Sequence, residues 1–536
     1  MRNPARGLLL VALLSTVLAL APPPAAAQEP APAVVIWEGR VLVNESVTFG
    51  ADRTLVIRPG TEVRIRALAP SCTEGSAPLV TVAGGLVADG NGSARIRFIY
   101  VTEDGEVCAA GREALLVYAG PGAGPQSLSF ADFTGGSFFG YRTALDLHDC
   151  TFNLTQVRFS GDASTVRNCT FRDSPLSVFP PSRTVIASNV FGRGLPDESG
   201  IYLYDCATVT NNTISGCVSG IEASIWVGGT VSGNDISGCL EAINSTGTLR
   251  IAENRLTGNG IGVRSWAGLD RLSGNLIAGN DIGVASLGPL EGTRDNLFIG
   301  PGGERNRLAD VNEMVLAAGS CVDANGQPLR TPVTITDSGG RTVFSGDPEF
   351  VVLTAYERLP DGSERRHLPF TATASKAGAR NSTTLDGTYS ISFTLRLDLY
   401  PDLSVRSLGG PIDGASPGDR VPLTVRVQNL GQVPARNFRI AVYIDGEVAY
   451  RQPVDSLSPG GWRNLTFDWT ATPGKHTVRA VADSGMDLAE LSEGNNQRSL
   501  PAVVRSAPPP PRAMAIGMVI LTGAALALVA MSSPRR

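Results

Sequence analysis

Asn212-Thr-Ile214-Ser-Gly216, followed by Gly220-Ile221, decides the fold because the chain repeats it. The same frame returns as Asn234-Asp-Ile236-Ser-Gly238 with Ala242-Ile243, then as Asn254-Arg-Leu256-Thr-Gly258 with Gly262-Val263. It returns again as Asn275-Leu-Ile277-Ala-Gly279 with Gly283-Val284, and in part as Asn296-Leu-Phe298-Ile-Gly300. The copies recur roughly every 21 residues, a spacing typical of solenoid repeats. Upstream, Asn189-Val-Phe191, Cys169-Thr-Phe171 and Cys150-Thr-Phe152 fit the frame more loosely. Helical repeats are longer and carry apolar stripes at the helical period, which are missing here. Short alternating runs broken by Gly and Asn suit a coil of three short strands. Such a coil cannot bury its inner face alone, so coils stack around one continuous core of Ile, Val, Leu and Phe. The expected fold is all-β, a parallel β-helix. Asn212, Asn234, Asn254, Asn275 and Asn296 are expected to tolerate a left-handed corner and to bond their amides from coil to coil.

The rest of the composition agrees. With 61 Gly and 36 Pro against 6% aromatic and 18% charged residues, the 536-residue chain reads as turn-rich and multidomain. A formal charge of -5 offers no nucleic-acid footprint. Residues 1–27 have the basic, apolar and small-residue parts of a cleaved secretory signal. Residues 513–531 are long and apolar enough for one membrane helix, preceded by a proline-rich spacer (506–512) and followed by a short tail (532–536). Arg535 and Arg536 favour a cytoplasmic tail, giving a single-pass type I topology with the N-terminal region outside the cytoplasm. Sequons at Asn44, Asn91, Asn153, Asn168, Asn211, Asn244, Asn381 and Asn464 lend weak support to exposure and to glycosylation.

On the repeats quoted above, the stretch from about 140 to 310 resembles the right-handed parallel β-helix of NosD-like and pectate-lyase-like proteins. Thr54-Leu-Val-Ile-Arg-Pro59-Gly60 and Gly85-Leu86-Val-Ala-Asp-Gly90 resemble the first coils of such helices. The helix is assigned to 28–316, with room for roughly 13 coils and a rod of order 60 Å. Cys217 and Cys239 both lie five positions after a repeat Asn and should stack, as should Cys150 and Cys169. Stacked positions lie within disulfide range, so these pairs are either bridged or buried thiols, and Cys72 with Cys108 is a looser candidate.

Residues 317–398 lose the period, and their strand-like runs suggest a linking β-sandwich. Residues 399–505 order Pro401-Asp402-Leu403, Pro417-Gly418-Asp419, Asn429-Leu-Gly431, Trp469, Gly474-Lys-His-Thr-Val478 and Glu490-Leu-Ser-Glu493-Gly-Asn495-Asn496. That order resembles CARDB modules, immunoglobulin-like sandwiches associated with adhesion, and about seven short strands fit independently. Asp483, Asp487, Glu490, Glu493 and Asn495 supply oxygen ligands of the kind Ca²⁺ takes, although solvated turns use the same residues.

No catalytic residue, cofactor site or metal site is assigned. A glycosidase needs two carboxylates around the scissile bond. Asp146, His148 and Asp149 form the one compact polar group in the rod; alternation places Asp146 and His148 on one face and Asp149 on the other. A solvated turn accounts for them. The resemblance to NosD implies copper handling, yet Met314 and Met486 lie far apart and the three His are scattered. Binding is left. Tyr202, Tyr204, Trp226 and Trp266 are candidates for an aromatic strip that stacks on sugar rings. The expected function is a surface-anchored, non-catalytic protein that contacts polysaccharide or another surface protein in adhesion or envelope structure. A tethered polysaccharide lyase or glycoside hydrolase is the alternative.

Overall fold

The computed structural model describes residues 33–67, 78–108, 113–118, 126–161, 164–192, 198–224, 228–267, 269, 271–290 and 293–506. The expected signal and membrane helix, and the proline spacer beyond residue 506, lie outside these residues. Among the described residues no helix is long and apolar enough to cross a membrane. A first compact unit ends at Asp310, and a second takes Ser286–Pro289 and the chain from Val311.

In the first unit each strand before the last coil pairs in parallel with the third strand after it, the connectivity of a parallel β-helix. Two sheets hold 11 strands each, and a third runs through the same coils. One interior column shows how the repeat becomes a core. Val63, Phe98, Phe133, Phe152, Phe171, Phe191, Ile214, Ile236, Leu256 and Ile277 are in register from coil to coil. The Phe rings of Phe98 and Phe133 stack at 4.6 Å, and those of Phe171 and Phe191 at 4.3 Å. Parallel stacking forces this, because like residues sit one strand spacing apart. Among the described residues the coil count is 11, lower than the sequence period implies, because the early coils are longer than the repeat. Leu55 pairs with Leu86, and Val87 with Ser127, so each of these first steps takes far more chain than the later ones.

The corners are closed by side-chain ladders. Asn189, Asn212, Asn234, Asn254, Asn275 and Asn296 form one column, in which each Nδ2 donates to the next Oδ1 at 2.9–3.0 Å. The same Oδ1 accepts the backbone N–H of the preceding coil, as from Asn212 N to Asn234 Oδ1 at 2.9 Å. The left-handed residue is not the ladder Asn but the one before it: Ser188, Asn211, Gly233, Glu253, Gly274 and Asp295 all have φ of 55–65°. The amide must point inward to reach its neighbour, so the sharp bend falls one position earlier. A second column continues through Asn259, Asn280 and Asn306 and ends on Asp310.

Three of the cysteines belong to these columns. Cys169 N–H donates to Asn189 Oδ1, Cys239 N–H to Asn259 Oδ1, and Cys217 N–H to Cys239 Sγ at 3.4 Å. Cys150, Cys169, Cys217 and Cys239 are free thiols, which corrects the bridged reading. Side chains stacked in register point the same way about 4.8 Å apart, whereas a disulfide needs Cβ atoms near 3.8 Å that turn toward each other. Cys108 is disulfide-bonded; Cys72, its suggested partner, lies outside the described residues.

In the second unit, Val333–Thr336, Thr342–Gly346, Phe370–Lys376 and Ala379–Leu385 form a four-stranded sheet. With Val351–Arg358 and Ser390–Arg396 of another sheet they enclose a core that includes Val333, Ile335, Leu353, Phe370 and Leu395. From Leu403 on, a three-stranded and a four-stranded sheet pack over Leu423, Val425, Phe438, Ile440 and Trp469. Seven antiparallel strands in two sheets are the immunoglobulin-like arrangement.

Candidate functional site

Because strand residues alternate in and out, the inward Ile201, Leu203, Ile221, Ala223 and Ile243 leave their neighbours on the outer face of the third sheet. Register places Phe139, Arg158, Ser177, Tyr202, Glu222, Asn244 and Arg264 in one row along the helix axis. Two residues further along each strand, Phe179, Tyr204, Ser224, Thr246 and Trp266 form a second row. Backbone bonds from Tyr204, Ser224, Thr246 and Trp266 to the preceding coil hold it.

At the centre of this face the rings of Phe179 and Tyr204 stack at 4.8 Å and 7°. Tyr202 lies beside Tyr204, with centroids 6.3 Å apart and planes 8° apart. Tyr202, Tyr204, Glu222, Asn244 and Thr246 line a cavity of about 130 Å³. Ser199 Oγ donates to Glu222 Oε2 at 2.7 Å, and Ser199 N–H donates to the Tyr202 hydroxyl at 2.9 Å. Burial first, and then the Glu222 charge, raises the Tyr204 phenol above its ordinary pKa. Burial also raises the Glu198 carboxyl, whose Oε2 has no hydrogen-bond partner among the described residues. Trp266 is 39% exposed three coils beyond Tyr204, and Arg264 lies over its ring at 5.3 Å.

The structure therefore puts Tyr202, Tyr204 and Trp266 on one face, while Trp226 lies outside the described residues. The reading of the sequence alone missed Phe179, Glu222 and Asn244. Register alone reveals them, and an insertion hides it: the step from Ser177 to Tyr202 takes more chain than the next step, from Tyr202 to Glu222.

Other candidates are not drawn together into a site. Asp149 has φ of 56° and turns back to bond His148 Nδ1 at 2.7 Å, so strict alternation fails there. Asp146 pairs instead with Arg167. Among the acidic residues, Asp483 accepts the N–H of Asp487 and Leu488, and Asp487 pairs with Arg439. Glu490 accepts from the Leu403 N–H and Asn496, Glu493 also accepts from Asn496, and Asn495 donates to Asp402. These oxygens close turns and do not converge as one calcium shell. Among the described residues no group of three His, Cys, Asp or Glu is arranged to hold a metal. Copper fits no better: Cys169, Cys217 and Cys239 are engaged in the ladders, Cys206 and Cys321 stand apart in the chain, and His148, His367 and His476 each pair with separate carboxylates.

The fold is a β-solenoid whose third sheet carries two long rows of outward side chains. Residues 141–300 match the family model described as "Periplasmic copper-binding protein (NosD)", and residues 400–500 match CARDB. The chain thus carries a NosD-like parallel β-helix and a C-terminal CARDB domain. Among solved structures, the CARDB domain of a Pyrococcus furiosus protein, in complex with di-metal ions, is 32% identical. That match covers 20% of this chain and 96% of that one, with a TM-score of 0.19. The fibronectin(III)-like modules of Clostridium thermocellum CbhA are 16% identical over 36% of this chain and 95% of theirs, with a TM-score of 0.14. No curated protein is significantly similar to the chain.

Proposed function

We propose that this is an extracytoplasmic, surface-held binding protein whose β-helix takes an extended polysaccharide along the outer face of its third sheet, without cleaving it. The observation that carries this reading is the stacked Phe179–Tyr204–Tyr202 shelf, in line with Arg158 on one side and Asn244 and Arg264 on the other. Sugar rings present apolar faces and polar rims. Flat aromatic rings bordered by carboxylate, amide and hydroxyl groups complement both.

The location is supported by the word periplasmic in the matched family's description and by the signal and anchor readings of the two chain ends. The non-catalytic role is supported by the carboxylates along the rod, several of which are fixed by ion pairs or hydrogen bonds. Glu241 holds Arg264, Asp146 holds Arg167 and Glu222 holds Ser199.

The test is binding of the secreted form to a panel of soluble oligosaccharides, with product analysis after long incubation. Binding without new reducing ends, weakened at least tenfold by Tyr204→Ala, is expected. Release of shortened products would move the protein to the enzyme reading.

A further inference from the structure

Three polar groups of the central cavity offer acceptors, and these narrow what can enter it. Glu222 contributes a carboxylate oriented by Ser199. Asn244 stacks directly on Glu222 in the sheet, and its Oδ1 is buried without a hydrogen-bond partner among the described residues. Thr246 already donates its hydroxyl hydrogen to Ala223 O at 3.1 Å, so its oxygen is left to accept. Arg158 donates to Gln156 Oε1 at 2.6 Å and acts on Tyr204 less strongly than Glu222 does. Arg264 is paired with Glu241.

A buried acceptor without a donor is costly, so the fitting ligand brings N–H or O–H groups. We propose that the cavity takes a primary ammonium group, and that the polysaccharide bound on this face carries free amino sugars. This rests on the polysaccharide reading above and narrows it.

Three N–H donors match the Glu222 carboxylate, Asn244 Oδ1 and a hydroxyl oxygen. The faces of Tyr202 and Tyr204 add the attraction of aromatic rings for a cation. A uronate would place a second carboxylate beside Glu222 and leave Asn244 Oδ1 facing another acceptor. A neutral hydroxyl would satisfy one acceptor and leave the others.

The experiment is calorimetric titration of the full secreted chain with four hexasaccharides: glucosamine, N-acetylglucosamine, glucose and galacturonate. Near pH 6 the glucosamine oligomer should bind at least tenfold more tightly than the other three. Its affinity should fall as pH rises and the amine loses its proton. Glu222→Gln should remove most of this preference. Asn244→Ala should weaken glucosamine binding while leaving thermal stability unchanged or raised, because it deletes an unsatisfied buried acceptor. A residue with only a structural role would lower stability instead. Equal binding of the glucose or acetylated oligomer, unaffected by Glu222→Gln but lost in Tyr204→Ala, would overturn the ammonium site and leave the polysaccharide reading standing. Absence of binding to all four would overturn both.

Discussion

A single ladder asparagine serves three coils. Asn254 Oδ1 accepts the Asn234 N–H and Nδ2, while its own Nδ2 donates to Asn275 Oδ1 and to the carbonyls of Val231 and Ala252. Truncation leaves several buried groups unpaired at once. Asn254→Ala should therefore destabilise the β-helix by about 3 kcal/mol or more, read as a lower Tm with no change in the melting of the CARDB domain. The cysteines give the complementary test. Cys239 occupies a column that its neighbour Asn259 fills with an amide. Cys239→Asn should extend that ladder and keep or raise Tm, whereas Cys239→Ala should lower it, for a stability loss of about 1 kcal/mol. A loss in the Asn variant equal to that in Ala would contradict the assignment of the thiol to the ladder.

Along one coil, legibility depends on what the period constrains. The columns of Asn and interior Ile repeat because every coil needs the same corner and the same inward residues, so the fold could be read from Asn212 to Gly279. The left-handed position was misplaced by one residue, since both Asn211 and Asn212 suit a bend and only the geometry of the ladder separates them. The outer face repeats nothing. Phe179, Tyr204, Ser224 and Thr246 share a row but no residue type, and the longer coil before Tyr202 shifts the frame. Gly258 isolates the corner requirement: its φ is +67° and an added Cβ meets nothing within 4 Å. Gly258→Ala should cost about 1 kcal/mol from backbone strain alone, and Gly258→Asn less, measured as Tm shifts. In the CARDB domain, burial between turn and sheet raises the Glu490 carboxyl to about 7. From its unfolded value of 4.5 up to about 7 the folded domain keeps a proton that the unfolded chain releases. Stability from this group is thus full below pH 4.5 and is lost as pH rises through 7. Solvent still reaches the side chain, so the effect is discounted to about 1 kcal/mol. Domain melts at pH 5 and 8 should show it, and Glu490→Gln should flatten the difference.

At the scale of the whole β-helix, the proposed binding face is a consequence of stacking. Rows of outward residues run parallel to the axis, so a ligand that follows them meets one new side-chain pair per coil. Phe139 to Arg264 spans six strand spacings, about 29 Å at 4.8 Å each. A compact ligand would reach only the Tyr202–Tyr204 cavity, whereas a linear polymer would also reach Arg158 on one side and Trp266 on the other. Affinity should therefore rise with oligosaccharide length until the chain spans the row, then level off. Trp266→Ala should weaken long oligomers at least threefold and leave the shortest binding ones unchanged, while Tyr204→Ala should weaken all of them. Titrations across a length series with both variants separate these cases. If short and long oligomers lost affinity equally in Trp266→Ala, the ligand would not run along the axis. The face would then be a single pocket, and the two rows would have no joint role in binding.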